Sequence, residues 1–222
     1  MVYTDSAMLE KMEQYCLSDA QKRYMVCKRW MDAVIAAAAL VVLIVPMAVV
    51  AFIQKLCSPF EPVFFLQERV GLHGKRFQII KFRTMRATAP HNIATNSFDG
   101  YFEQTTGFGR YLRKTSIDEL PQLINVLKGE MALVGPRPLI PTEEPAQTLR
   151  AMHRVYDIRP GITGLAQVSG RDYLDDYEKV RFDRQYVVQF GIRQDISIIL
   201  RSFGCVFRRE NILESSDEIR RD

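Results

Sequence analysis

Apolar residues run without a charge from Ala33 to Ile53, and a proline, Pro46, stands inside that run. At about 1.5 Å rise per residue a straight helix here reaches about 30 Å, roughly one hydrocarbon thickness. Lys22, Arg23, Lys28 and Arg29 precede the run, and Lys55, Arg69, Lys75, Arg76, Lys81 and Arg83 follow it. With cations on both sides, neither flank suits translocation. A proline withdraws one backbone donor and crowds the turn before it. The pattern therefore predicts a helix broken near Val45-Pro46 that enters and leaves a membrane on the same face, in preference to a kinked span. A signal peptide fits poorly, because a long polar stretch precedes the run and Phe52-Ile53-Gln54-Lys55 follows it. A buried helix of a soluble domain also fits less well, since no hydrophilic stripe interrupts the run.

Elsewhere the periodicity is that of a mixed α/β chain, mostly helical. Residues 1–27 read as an amphipathic extension, with Met8, Leu9, Met12, Tyr15 and Cys16 at roughly helical spacing; residues 28–57 hold the membrane helix and residues 58–222 a catalytic domain. On a helix Asp32 reaches both Lys28 and Arg29, either as a solvated ion cluster or as a neutralised charge at the membrane boundary. Val63 to Leu66 and Phe77 to Phe82 are rich in aromatic and branched residues, and Gly71 to Lys75 lies between them, which predicts a small β-hairpin. Ala87 to Asn96 is polar and irregular, the best candidate for a mobile loop. A helix is expected over Phe108 to Leu127, interrupted by a cap at Ser116. A proline-rich connection follows at Pro136, Pro138, Pro141 and Pro145, then a tight loop at Arg159 to Gly164. Helices are expected at about Asp172 to Phe190 and Asp195 to Arg208. In the second, Ile196, Ile199, Leu200, Phe203, Val206 and Phe207 share a face suited to a bilayer surface or to a core.

Composition narrows the function classes. The formal charge is only +4 in 222 residues, but its placement around the apolar run suits an anionic membrane face or phosphorylated substrates. No zinc-finger, RNP or helix-turn-helix pattern supports nucleic-acid binding. Cys16, Cys27, Cys57 and Cys205 form no CxxC pair and His73, His91 and His153 are isolated, so neither zinc nor a disulfide framework is indicated.

The densest chemical signal is Ser116-Ile117-Asp118-Glu119-Leu120-Pro121. Ser116 and Glu119 have the spacing of a capping box, which leaves Asp118 unexplained. Two carboxylates at a helix start are held ionised by free amides and the dipole, and they suit Mg²⁺ binding, or attack on phosphorus by one while the other helps hold the ion. Arg110, Arg113 and Lys114 precede the pair, Arg137 sits between prolines, and Arg159 and Arg171 bracket a loop containing Gly161 and Gly164. Arginine forks suit phosphate oxygens, and glycines let a backbone approach a phosphate or nucleotide, although surface charges and an ordinary turn would read the same way. Lys81 can project from its strand toward the same anions.

Taken together, Lys28-Arg29-x-x-Asp32, Gln67-Glu68-Arg69-Val70-Gly71, Lys81-Phe82-Arg83-Thr84-Met85, Asp118-Glu119-Leu120-Pro121-Gln122-Leu123, Val134-Gly135-Pro136-Arg137-Pro138 and Arg159-Pro160-Gly161-Ile162-Thr163-Gly164, with Gln167 and Gly170-Arg171, resemble the bacterial sugar transferase family of monotopic phosphoglycosyl transferases. The resemblance runs from about Lys28 to the last helix. It implies transfer of a sugar-1-phosphate from a nucleoside diphosphate sugar, commonly a UDP-sugar, to polyprenyl (undecaprenyl) phosphate at the cytoplasmic face of the bacterial inner membrane. It further implies Asp118 as nucleophile, release of UMP, an aspartyl phosphosugar intermediate, Mg²⁺ beside Asp118 and Glu119, and a re-entrant helix broken at Pro46. Lys81, Arg110, Arg137, Arg159, Gly161, Gly164, Gln167 and Arg171 become the phosphate and substrate contacts. Where many relatives place serine before the membrane proline, this chain has Val45. The alternatives left open are a non-catalytic membrane scaffold of polysaccharide assembly and, ranked low, a glycosyltransferase that releases UDP. Which sugar is used and whether the chain forms a homo-oligomer are not legible.

Overall fold

The structure is a computed structural model, and it describes residues 16–89, 104–170 and 174–208. The expected amphipathic pattern at Met8 to Tyr15, most of the Ala87 to Asn96 loop, and Arg171 lie outside the described residues. The described chain is mostly helical. Its first element, α1 (Asp19–Cys57), is a single helix of 39 residues that opens on a capping box between Ser18 and Gln21. The break expected at Pro46 is absent, because the helix continues through that residue. Proline deletes one donor from the ladder and leaves the bonds on either side intact, so a long apolar helix tolerates it without ending.

Contacts fall along one side of α1. Lys28, Asp32, Ala36 and Gln54 are buried, and Ala39, Leu40 and Leu43 join Ala36 in a cluster with Phe77, Ile79, Leu123 and Val126. These positions recur every three or four residues, one stripe of a helix. The other faces leave Val34, Val41, Val42, Ile44, Val45, Val49 and Phe52 exposed. An exposed apolar surface of that length is long and apolar enough to meet a membrane.

β1 (Phe64–Val70) and β2 (Arg76–Phe82) form the predicted antiparallel hairpin, in a register that pairs Phe65 with Lys81 and Arg69 with Phe77. Successive side chains alternate faces, so Phe77, Ile79 and Lys81 project from one face of the hairpin with Gln67 and Arg69. The helical stretch expected over Phe108 to Leu127, interrupted at Ser116, is formed as α2 (Gly107–Lys114) and α3 (Gln122–Lys128). Between them Ser116 has a left-handed backbone with φ of 56° and makes no side-chain cap, and Ile117 to Glu119 form a 3₁₀ turn. The expected capping box is therefore not formed: a cap needs an extended backbone at the serine, and Ser116 instead terminates α2.

β3 (Ala132–Val134) pairs in parallel with β4 (Gly161–Thr163), and β4 takes the place of the loop expected at Arg159 to Gly164. The glycines make that pairing feasible. A Cβ on Gly161 would stand 2.1 Å from the Gly135 nitrogen, and one on Gly164 would stand 2.1 Å from the Gly135 oxygen. α4 (Ala146–Met152), α5 (Leu165–Ser169), α6 (Asp176–Val188) and α7 (Ile192–Arg208) complete the described chain. Val134, Val155, Ile158, Leu165, Tyr186, Val187 and Ile198 form the core among them. On α7 Ile196, Leu200 and Phe203 remain exposed, whereas Ile198 is buried.

Candidate active site

Asp118 and Glu119 sit on the 3₁₀ turn between α2 and α3 and are both buried. Two elements distant in sequence bring cations to Glu119. Lys81, next to last in β2, places Nζ 2.7 Å from Glu119 Oε1, and both terminal nitrogens of Arg137 lie 3.2 Å from the same oxygen. Arg69 lies behind Arg137 and donates to the Pro138 carbonyl at 3.0 Å. Arg113 donates to the Thr84 hydroxyl at 2.7 Å and bears electrostatically on Asp118.

Burial pushes the Asp118 carboxyl above the ordinary carboxylate range; Lys81, Arg113 and Arg137 oppose that push, and Glu119 adds to it. Burial likewise draws the Lys81 ammonium down, against the attraction of Glu119. Arg69 is pulled down to about 10 by burial and then by Arg137. Lys81, Arg69, Arg113 and Arg137 thus surround two carboxylates with an excess of positive charge. Arg137 keeps 42 % of its side chain exposed, and so presents that excess to solvent. A site of this kind receives an anion with several negative oxygens.

The remaining expected contacts lie elsewhere in the described structure. Arg159 donates to the Gly129 carbonyl at 2.9 Å, beside Arg29, which donates to Val126 and Leu127 carbonyls at 3.2 and 2.8 Å. Both arginines serve the carboxyl end of α3, where helix carbonyls lack partners. Gly161 and Gly164 lie against the Gly135 backbone, Gln167 turns toward the Ile162 carbonyl at 3.5 Å, and Arg110 is exposed on α2. Lys28 and Asp32 form the expected ion pair at 3.2 Å, but buried, and Lys28 also meets Asp195 of α7 at 2.6 Å. The solvated form of that cluster is excluded by its burial.

Sequence reasoning left Asn125 out of the site altogether. Fully buried on α3, it accepts from the Ile80 amide at 3.0 Å and donates to the Gln78 carbonyl at 2.7 Å. One side-chain amide thereby occupies the free edge of β2 and sets that strand against the acidic turn. Arg69 is legible in the sequence only as part of a motif; the signal for its role is a cation that shares a hairpin face with Phe77 and Ile79.

For a divalent ion the donor set is small. Among the described residues no group of three or more His, Cys, Asp or Glu side chains converges. Two adjacent carboxylates do fit Mg²⁺, which takes one or two carboxylates and completes its octahedron with water and substrate phosphate oxygens.

The sequence matches the bacterial sugar transferase family over residues 23–209. An uncharacterized sugar transferase, EpsL, of Bacillus subtilis is 40% identical over 158 residues, covering 70% of this chain and 75% of that protein. A UDP-glucose:undecaprenyl-phosphate glucose-1-phosphate transferase of Caulobacter vibrioides is 40% identical over 194 residues, covering 83% of this chain and 71% of that protein. The Escherichia coli protein of the same description is 37% identical over 179 residues, covering 78% of this chain and 38% of its own length. The chain spans less than half the length of several relatives, including 44% of the galactosyl transferase CpsE of Streptococcus agalactiae. With the matched region running from the second turn of α1 through α7 and containing the whole acidic site, this chain belongs to the bacterial sugar transferase family.

Proposed function

We propose that this protein transfers a sugar-1-phosphate from a UDP-sugar to undecaprenyl or another polyprenyl phosphate at a membrane surface. The observation that carries the reading is the buried Asp118-Glu119 turn ringed by Lys81, Arg69, Arg113 and Arg137, on a domain packed along an apolar helix. The relatives whose names state UDP-glucose and undecaprenyl phosphate support the substrate classes.

Asp118 is the nucleophile in this reading. A carboxylate oxygen of Asp118 bonds to the sugar-linked phosphorus, and the bond from that phosphorus to the bridging diphosphate oxygen breaks. UMP leaves with the bridging oxygen. An oxygen of the lipid phosphate then attacks the aspartyl phosphorus and returns the Asp118 carboxylate, giving the lipid-linked diphosphate sugar. Arg137 and Lys81 hold negative oxygens as charge shifts between them, the main contribution a protein makes to phosphoryl transfer. Mg²⁺, held by Asp118 and Glu119, would supply charge neutralisation on the diphosphate.

Both ends of the apolar helix are tied to this one domain. Lys28 meets Asp195 at 2.6 Å, and Gln54 donates to the Val63 and Arg83 carbonyls at 3.1 and 2.8 Å, two residues beyond Lys81. This supports a monotopic arrangement on the cytoplasmic face, with both ends of the helix on one side of the membrane. Native Cys27 and Cys57, each retained as the single cysteine, should react with an impermeant maleimide from the same side of sealed vesicles. Reaction from opposite sides would establish a span.

The reaction itself is tested by UMP release from detergent- or nanodisc-held protein given polyprenyl phosphate, Mg²⁺ and a panel of UDP-sugars. Wild type should release UMP with one or more donors, and Asp118→Asn should not. Release of UDP, or UMP from the Asp118→Asn protein, would overturn the assignment.

A further inference from the structure

Arg137 reaches Glu119 from a segment that has no regular structure of its own. Pro136 and Pro138 have no N–H, so this stretch offers mainly acceptors, and its conformation depends on donors from elsewhere. Five consecutive carbonyls each find one. Pro136 accepts from the Gly161 amide at 2.9 Å, Arg137 from Arg150 at 2.6 Å, Pro138 from Arg69 at 3.0 Å, Leu139 from the Val70 amide at 3.0 Å, and Ile140 from Gln147 at 2.7 Å.

The donor on Arg137 itself stands apart from the others. Arg150, on α4, is 3% exposed, and its second terminal nitrogen meets Asp183 of α6 at 2.5 Å; Asp183 is 1% exposed. Among the described residues the buried Arg150 Nε has no hydrogen-bond partner. A fully buried ion pair is a poor way to gain stability, since apolar residues of similar volume do as well or better. The geometry it imposes is the more informative feature. The pair spans α4 and α6 and directs one N–H at the carbonyl of the residue whose guanidinium clamps Glu119.

We propose that Arg150, oriented by Asp183, is a positioning residue that fixes the Arg137 backbone and so aims the Arg137 guanidinium at Glu119 and at the donor diphosphate. The proposal rests on the reaction read above, and its test separates the two. Arg150→Met combined with Asp183→Leu removes the donor without leaving a buried unpaired charge, which protects folding. In detergent- or nanodisc-held full chain this pair of substitutions should slow UMP release by about tenfold to a hundredfold, the scale of a lost charged hydrogen bond. Arg137→Met should lose a comparable factor, and all three substitutions together should be little worse than Arg137→Met alone. Full multiplication of the two losses would show that Arg150 does not act through Arg137 and would overturn the proposal.

A second readout needs no turnover. Phenylglyoxal labelling followed by peptide mass spectrometry should show Arg137 reacting several-fold faster in the Arg150→Met/Asp183→Leu protein, with Arg159 unchanged. Unchanged labelling at Arg137, or equal acceleration at Arg159, would also overturn the brace. Absence of UMP from the wild type with every donor would sink the reaction and leave labelling to decide the positioning role.

Discussion

Asp118, the proposed nucleophile, sits where burial favours its neutral form. Below its raised pKa the carboxyl keeps its proton, so kcat/KM for UMP release should fall as pH drops through a value above the ordinary carboxylate range. Glu119 contributes to the upward push, while Lys81, its partner at 2.7 Å, opposes it. Glu119→Gln should therefore move the acid limb to lower pH while reducing kcat; a limb that stays in place would assign it to another group. The same shift bears on stability. The folded state holds this proton more tightly than the unfolded chain, so the contribution is present below the unfolded pKa and is lost as pH rises through the folded one. Asp118→Asn is neutral throughout, and its Tm should decline less than that of wild type across that window.

At the scale of elements the site depends on how β2 is set against the acidic turn. Asn125 satisfies the Ile80 amide and the Gln78 carbonyl, and Lys81 follows one residue later. Asn125→Ala leaves both strand groups unpaired in the interior, at a cost of about 2 kcal/mol. The expected result is a lower Tm together with a loss of kcat larger than that of KM, because Lys81 no longer holds its place beside Glu119. A stability loss with unchanged kcat would confine Asn125 to packing. α1 is registered in a similar manner at both ends, by Lys28 with Asp195 and by Gln54 with Val63 and Arg83. An apolar helix packed on one stripe thus carries polar anchors on both sides of its apolar run.

Across the whole molecule, the lipid-facing surface of α1 and the cationic site are carried by one body. Val41 and Val45 are 76% and 68% exposed. Val41→Lys with Val45→Lys alters no packed contact of the domain, yet each charge at membrane depth costs about 3 kcal/mol. The doubly substituted protein should shift from the carbonate-resistant membrane fraction to the supernatant and keep the fold of its domain by circular dichroism. Full retention in the membrane would mean that other surfaces, among them the exposed Ile196, Leu200 and Phe203 of α7, carry the attachment.

Local pattern was enough for the long apolar helix, the β1–β2 hairpin and the Asp118-Glu119 pair as the densest chemical signal. Each of these rests on spacing within a few residues, and such spacing expresses itself through backbone propensity and periodicity before any distant contact forms. The same local reading misplaced the cap at Ser116, because a left-handed residue and an extended capping residue look alike in sequence when serine can fill both. It also expected Pro46 to break α1 midway, although one missing donor only interrupts a single bond of the ladder. Partner choice belonged to the tertiary structure. Glycines that suggest a phosphate loop serve the close approach of β4 to Gly135, and Arg159 serves the end of α3. Lys28 finds Asp195 far along the chain, and Arg150 finds Asp183 and the Arg137 carbonyl. A charge or an amide has the same chemistry wherever it occurs, but which acceptor it meets, and how much water is excluded when it does, is decided only when remote elements pack together.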